Sequence, residues 1–435
     1  MAGSAAVSCP SGTVAVIGAG IIGMLSALQI QARGYKVILV DAGPAGGAQS
    51  ASYGNGAWLN PGAIMPISVP GLWKKIPGYL LDRDGPFVIR WRDLPGLLPW
   101  LVRFVRAGST WDKIERCAAE RYRLCATSVD GHAAYAQAAG VGDLVRHTGL
   151  IFVYRDRGDA AAEAREWDLR RRLGIVFSEL DAAQLRRLEP GLDPRYGFGM
   201  RIDAGAYIRD TRLYLEALAV LLRERGGEIL QQRVHGLAIA GGRLHGLRTS
   251  GGDIACAKAV IAAGAWSAPL AMQAGDRVPL VSERGYHIVL PGIVDRPNTA
   301  IMPCDGKMAV TPTTHGLRVA GQVELASLQA PPDWRRAQVL LNHASRLFPD
   351  SIPDPAGAPN PETLQRWLGH RPSTPDGLPV IGPASGCADI IHAFGHGHSG
   401  LCQAPATAEA VAALIDEAAA PFPIQAFSPR RFGPS

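Results

Sequence analysis

The 435-residue chain has no run of eighteen apolar residues, no CxxC pair, no block of like charge and no internal repeat. Each absence excludes something. Without a long apolar run no membrane-spanning helix is expected. Residues 1–12 lack the basic-then-apolar pattern of a secretory leader and read as a flexible tail of small residues. The seven cysteines, at 9, 117, 125, 256, 304, 387 and 402, are odd in number and irregular in spacing, which argues against a disulfide framework and a structural zinc site. They read as reduced, mostly buried thiols. The net charge of +6 is scattered through mixed-sign stretches such as 163–172, so no nucleic-acid partner is read from it. Composition is that of a globular enzyme, 47% apolar and 19% charged, and the length calls for two domains. Together these features point to a soluble, cytoplasmic protein.

What is present begins at residue 13. The apolar run 14–17 predicts a buried strand, the glycines Gly18, Gly20 and Gly23 a turn into a helix, and 37–40 a parallel second strand closed by Asp41. Gly18 permits the tight turn, Gly20 lets the backbone approach a pyrophosphate at the positive helix N-terminus, and Gly23 lets helix and strand pack closely. Asp41 is placed to accept hydrogen bonds from a ribose. Ala42, Gly43 and Pro44 follow it, with no arginine to receive a 2′-phosphate, so a phosphorylated nicotinamide cofactor is disfavoured.

The loop 43–56, with Ser50, Ser52, Asn55 and Gly56, has side chains small enough to wrap a ligand closely. Residues 66–111 interleave Trp73, Trp91, Trp100 and Trp111 with prolines and predict short helices and turns, which either touch a membrane surface or cover the active site. One amphipathic helix is expected over 112–139, a charged one over 160–173, and a third over 211–225 that ends at Gly226 and Gly227. From 228 the pattern becomes strand (228–234), hairpin turning at Gly241 and Gly242, and strand (257–261). The last strand opens into Ala263, Gly264 and Trp266. A second small-residue turn after a sheet strand suits a flavin dinucleotide, whose length brings it past the backbone twice. Residues 283–326 read as a separate β region.

Two late motifs complete the pattern: Gly369, His370, Arg371 and Pro372 leading to Thr374, Pro375, Asp376 and Gly377; and Gly395, His396, Gly397, His398, Ser399, Gly400 and Leu401. With the N-terminal unit and the Ala263–Gly264 turn they resemble the FAD-dependent D-amino acid oxidase family, and most of all bacterial D-amino acid dehydrogenases, whose branch is echoed at 52–56 and 70–75. The resemblance runs from about residue 13 to 415. It implies an α/β fold in which an FAD-binding Rossmann-like domain (13–60, 205–280 and 362–420) is interleaved with a mixed-sheet α+β substrate domain (61–204 and 281–361). It also implies that FAD is held by the glycine turn, Asp41, the 43–56 loop, Val234, Ala263, Gly264, Trp266 and the 395–401 loop. There, backbone N–H groups would stabilise negative charge on the reduced ring.

By the same resemblance Arg371 binds the substrate carboxylate, a role that suits a planar guanidinium. The competing reading of Arg371 is an ion-pair residue. Tyr286 and His287 are candidate side chains over the flavin face, of which strand alternation allows only one. Met302 and residues 317–319 are further candidates for the pocket. His392, His396 and His398 could suggest a metal site, but the glycines among them explain the segment better as a loop at the flavin, so no metal is expected. Positions 366–373 contain no cysteine, which argues for non-covalent FAD.

The implied reaction is oxidative deamination of a D-amino acid to a 2-oxo acid and ammonia, by hydride transfer from the α-carbon to flavin N5. Electrons pass on to a quinone, a redox protein or oxygen. Two alternatives stay open: oxidation of glycine, sarcosine or another secondary amine such as a D-proline derivative, and a non-catalytic FAD-containing subunit. Peripheral contact with the cytoplasmic face of a membrane stays open as well.

Overall fold

The computed structural model describes residues 12–72, 85, 87–293, 297–352 and 364–433. Trp73, Lys74, Lys75, the first eleven residues and most of the Pro-rich stretch 349–361 lie outside them. Among the described residues no helix is long and apolar enough to cross a membrane.

The strand Thr13–Ile17 is the centre of a six-stranded sheet because its valines and isoleucine have apolar neighbours on both sides. It pairs in parallel with Lys36–Asp41 and with Lys258–Ile261; Glu228–Gln231 and Ile390–Phe394 extend the parallel array outward. Val380–Pro383 closes one edge, antiparallel. Parallel strands buried on both faces need near-continuous apolar runs, which these supply. Helices Ile21–Ala32, Thr211–Glu224 and Gly400–Ile415 share one apolar cluster with this sheet, through Met24, Leu25, Leu218, Ala404 and Val411. The hairpin of Val234–Ala240 and Arg243–Thr249 turns at Gly241 and Gly242, both with positive φ (57° and 76°), as a tight two-residue hairpin requires.

A second, nine-stranded mixed sheet carries in order Gln365–Ser373, Val281–Leu290, Gly316–Leu325, Ala309–Thr313, Ala300–Pro303, Leu150–Tyr154, Phe198–Ile202 and Ser178–Asp181, with Phe87–Ile89 paired to Gly316–Leu325. One face packs on the amphipathic helix Arg335–Leu347 through Leu340, Leu341 and Ala344. That helix was not anticipated from the sequence. A bridge between Ser373 and His396 ties the Gln365–Ser373 strand to the loop following Ile390–Phe394.

Three expectations need correction. The single helix over 112–139 is two, Trp111–Cys125 and Ser128–Ala138, separated at Ala126 and Thr127. The break lets the second segment approach Gly400–Ile415 so closely that a Cβ on Gly131 would stand 2.5 Å from Pro405. The charged helix over 160–173 is likewise split, into Arg157–Ala161 and Ala164–Arg172. Within 66–111, Leu94–Ala107 is a full 14-residue helix. Pro95 falls in its first turn, where its missing N–H is not needed, and Pro99 removes one hydrogen bond further in.

Candidate active site

A single cavity of about 960 Å³ runs from the Gly18–Gly20 turn to the wall formed by the nine-stranded sheet. That is the upper end of the roughly 300–1,000 Å³ usual for cofactor and ligand sites. At its first end Gly18 has φ +110°, and a Cβ there would meet the Ala262 carbonyl at 2.4 Å. At Gly23 a Cβ would lie 1.8 Å from the Gly18 carbonyl oxygen, so this glycine acts by packing, and it does not line the cavity. Gly20 does line it, leaving the N-terminus of Ile21–Ala32 open to a negatively charged group. Asp41 reaches the same place: one oxygen accepts from Ala19 N at 2.7 Å, the other from Gly43 N at 2.9 Å.

The 43–56 loop is held from several sides. Ser52 Oγ accepts from Ile21 N at 3.0 Å. Buried Arg318 donates to the carbonyls of Tyr53 and Asn55, and Thr311 Oγ1 to that of Gly56 at 2.7 Å. Ala57, a non-glycine residue, sits at φ +64°, a strained conformation of the kind that clusters at ligand sites. Ser50, Ser52, Asn55 and Gly56 line the cavity, as do Val234, Ala263, Gly264 and Trp266. His396, Gly397, Gly400 and Leu401 line it too; Gly395, at φ +87°, turns the chain just behind. His396 is a buried neutral histidine, its pKa lowered to about 3 by burial and by the charge of Arg121, with Nε2 3.0 Å from Thr407 Oγ1. His392 is bonded to Asp276 instead, and His398 is exposed toward the cavity. Among the described residues no three metal-binding side chains come together.

At the far wall, strand register places Arg371 directly across from Glu283. Arg371 Nη1 donates to Glu283 Oε1 at 3.1 Å and to the Gln322 carbonyl at 3.0 Å; Glu283 Oε2 accepts from Ser373 Oγ at 2.8 Å. Gln322 presents that carbonyl from a left-handed backbone, φ +63°. A Cβ on Gly285 would stand 2.2 Å from Arg371 Nη2, so the guanidinium lies across a glycine. Both Arg371 and Glu283 line the cavity, side by side with opposite charge.

The expectation for Tyr286 and His287 is not met: neither lines the cavity. Tyr286 points to the opposite face of the sheet, donating to Glu324 Oε2 at 2.6 Å and accepting from Asp333 N. His287 is on the correct face, but Trp367 stacks over it at 5.0 Å and its Nδ1 is bonded to the Gly54 carbonyl. Burial and the charge of Arg318 lower its pKa to about 3. Trp367, which does line the cavity, takes the place expected for His287. Met302 lines the cavity as expected, whereas Leu317 and Val319 face the helix side and Arg318 holds the loop.

The sequence did not single out Glu283, Gln322 or a group at the outer end of the cavity formed by Glu163, Lys307, Tyr154 and Arg170. Lys307 is hydrogen-bonded to Glu163, which also accepts from Tyr154 Oη at 2.7 Å.

The chain is 41% identical over 420 residues to a D-amino-acid oxidase of Bradyrhizobium diazoefficiens, covering 96% of this chain and 98% of that one. It is 31% identical to a D-amino acid dehydrogenase of Rhizorhabdus wittichii, covering 92% and 95%. Two solved structures share the fold: L-proline dehydrogenase from P. horikoshii (TM-score 0.71, 19% identity, 97% and 98% coverage) and glycine oxidase from Bacillus cereus (TM-score 0.67, 18% identity, 94% and 95%). The sequence profile of the FAD dependent oxidoreductases, DAO, matches residues 13–414, nearly the whole chain, and the chain belongs to that family.

Proposed function

We propose that the protein oxidatively deaminates a D-amino acid: the α-carbon and amine lose two electrons and two protons, and water converts the imino acid to a 2-oxo acid and ammonia. When bound, FAD would supply the two-electron oxidation. The observation that carries the reading is the cross-strand pair Arg371–Glu283 on the wall of a cavity that begins at a dinucleotide turn. An amino acid is a zwitterion, and a guanidinium beside a carboxylate matches it charge for charge. Arg371 holds the substrate carboxylate through two parallel N–H donors, and Glu283 faces the ammonium. Orientation of the α-carbon, rather than a nucleophile, is what the residues provide.

The glycine turn fits a pyrophosphate because Gly20 leaves room that a side chain would fill, and Asp41, beside that turn, would hold the ribose. The N-terminus of the 16-residue helix Gly400–Ile415 opens on the cavity at Gly400 and Leu401, a positive dipole end that favours an anionic ring. The domain division given above, with the two sheets as cores, belongs to this proposal. So does peripheral membrane contact. Leu94–Ala107 turns Leu98 and Val102 outward with Arg103 and Arg106, while Leu97, Trp100 and Phe104 pack inward. Ile67, Val69, Leu72 and Phe87 from the same region line the cavity, so part of it covers the site.

Anaerobic titration of the FAD-loaded protein with D- and L-amino acids tests the reading. Bleaching of the oxidised flavin band by D-isomers is expected; a band that no D-amino acid bleaches overturns it.

A further inference from the structure

The outer end of the cavity holds a cation that the proposed chemistry does not use. Arg170, on the helix Ala164–Arg172, is 7% exposed and lines the cavity. Its Nε donates to the Gly62 carbonyl at 3.2 Å, and its guanidinium carbon lies 4.6 Å from the centre of the Trp167 ring and 6.0 Å from that of Phe152. These contacts fix the plane of the group. Its two terminal nitrogens have no hydrogen-bond partner and no carboxylate within 4.0 Å among the described residues. They are not sealed in either, unlike the partnerless nitrogens of Arg284 and Arg336. Burial lowers its pKa, opposed by Glu166 and Glu163, and Glu163 is itself engaged by Lys307. A buried, oriented guanidinium with two open donors on a cavity wall is suited to a carboxylate.

We propose that Arg170 binds a second carboxylate, in the substrate side chain, and that the preferred substrate is an acidic D-amino acid of about the length of D-glutamate. This rests on the deamination reading above. Arg371 reaches the carbonyls of Gly321 and Gln322 in one strand, and Arg170 lies over Phe152, three strands away in the same sheet. Three strand spacings are on the order of 14 Å. With each guanidinium carbon about 4 Å from the carboxylate carbon it binds, about 6 Å is left between the two carboxylates. Four staggered carbon–carbon bonds of about 1.5 Å span about 5 Å, as in glutamate.

The comparison that tests this is between isosteres, with the FAD-loaded enzyme: kcat/KM for D-glutamate against D-glutamine, and for D-aspartate against D-asparagine, together with D-alanine, D-lysine and D-arginine. The expected result is a preference of about tenfold or more for D-glutamate over D-glutamine, reduced to near unity in Arg170→Met and partly kept in Arg170→Lys. Glutarate should compete better than butyrate in the unmodified enzyme, a measurement that needs no variant to fold. Equal rates for each isosteric pair, a preference for D-lysine or D-arginine, or an equal loss on all substrates in Arg170→Met would overturn the proposal and leave the deamination reading intact. Equal loss would make Arg170 an anchor for the α-carboxylate common to all of them. Failure of every D-amino acid to bleach the flavin would overturn both.

Discussion

Replacing Arg371 with methionine keeps most of the side-chain volume and removes the charge, and its effect can be worked out from the contacts. Hydrogen bonds to a charged group contribute about 1.5–3 kcal/mol each. In the free enzyme Arg371 already donates to Glu283 and to the Gln322 carbonyl, so only part of a bidentate carboxylate interaction is gained on binding. A net loss of about 3–4 kcal/mol lowers kcat/KM by roughly two to three orders of magnitude. Stability suffers separately, because Glu283, 3% exposed, loses its cation. Breaking a buried pair costs about 3–5 kcal/mol. The cost here is smaller, because Ser373 Oγ still donates to Glu283 and the Arg371 side chain is 21% exposed. The double variant Glu283→Gln, Arg371→Met should recover much of the melting temperature and none of the activity. Stopped-flow reduction of the bound flavin, with its visible spectrum as a check on loading, reads the first effect and thermal denaturation the second. Arg371→Met retaining kcat/KM within about tenfold of the parent would refute the reasoning and reduce Arg371 to a structural partner of Glu283.

Three further outcomes follow from the geometry. Gly285→Ala places a methyl against Arg371 Nη2 and should raise KM for the amino acid while FAD binding is unchanged, as measured by steady-state kinetics and flavin content. Gly23→Ala puts a Cβ 1.8 Å from the Gly18 carbonyl oxygen and should cost on the order of 1–3 kcal/mol and lower flavin content, because the turn itself must shift. Glu189, buried and accepting from the backbone N–H groups of Asn298 and Thr299, has its pKa raised to about 7 by burial, which outweighs those hydrogen bonds. A carboxyl raised on folding contributes stability at pH below its unfolded value and loses it as pH rises. Stability should therefore fall by up to about 3 kcal/mol between the unfolded value, about pH 4.5, and about pH 7. Denaturant unfolding across that range should show a slope that Glu189→Gln removes.

What could be read in advance depended on whether a residue acts through its own backbone or through a distant partner. Gly18, Gly20 and Gly23 were legible because a strand-to-helix turn leaves no other residue the required space, and the parallel strands followed from their uninterrupted apolar runs. Glu283 was not legible, because its meaning comes from a strand register that sets it across from a residue 88 positions later. Alternation separated Tyr286 from His287 as expected. Nothing local announced that Trp367, from the neighbouring strand, would cover His287. Arg170 stood in a run of charges that reads as a solvated helix face, and only packing on Trp167 and Phe152 turns it inward. The break at Ala126 and Thr127 was not legible either, and neither was the close packing of Gly131, just beyond it, on Pro405 of another helix.

Glu283 separates a clamp for carboxylates from a clamp for amino acids. A guanidinium alone would bind any carboxylate, whereas a carboxylate fixed beside it repels the ligand's anionic end and attracts a cationic one. Glu283 can do both, because Ser373 Oγ and Arg371 Nη1 hold its two oxygens at 2.8 and 3.1 Å on the cavity wall. Glu283→Gln keeps the shape and removes the charge, so it should weaken a zwitterion and strengthen a plain monocarboxylate. An ion pair of this kind, partly desolvated, is worth about 1–3 kcal/mol, so changes of about 5- to 150-fold are expected, in opposite directions. Dissociation constants for D-alanine, from the concentration dependence of flavin reduction, and for propionate, from its perturbation of the flavin spectrum, supply the comparison. If both ligands weaken together, Glu283 serves only to hold Arg371 in place; if both tighten, it is a plain repulsive charge. In either case the zwitterion match that carries the functional assignment would have to be given up.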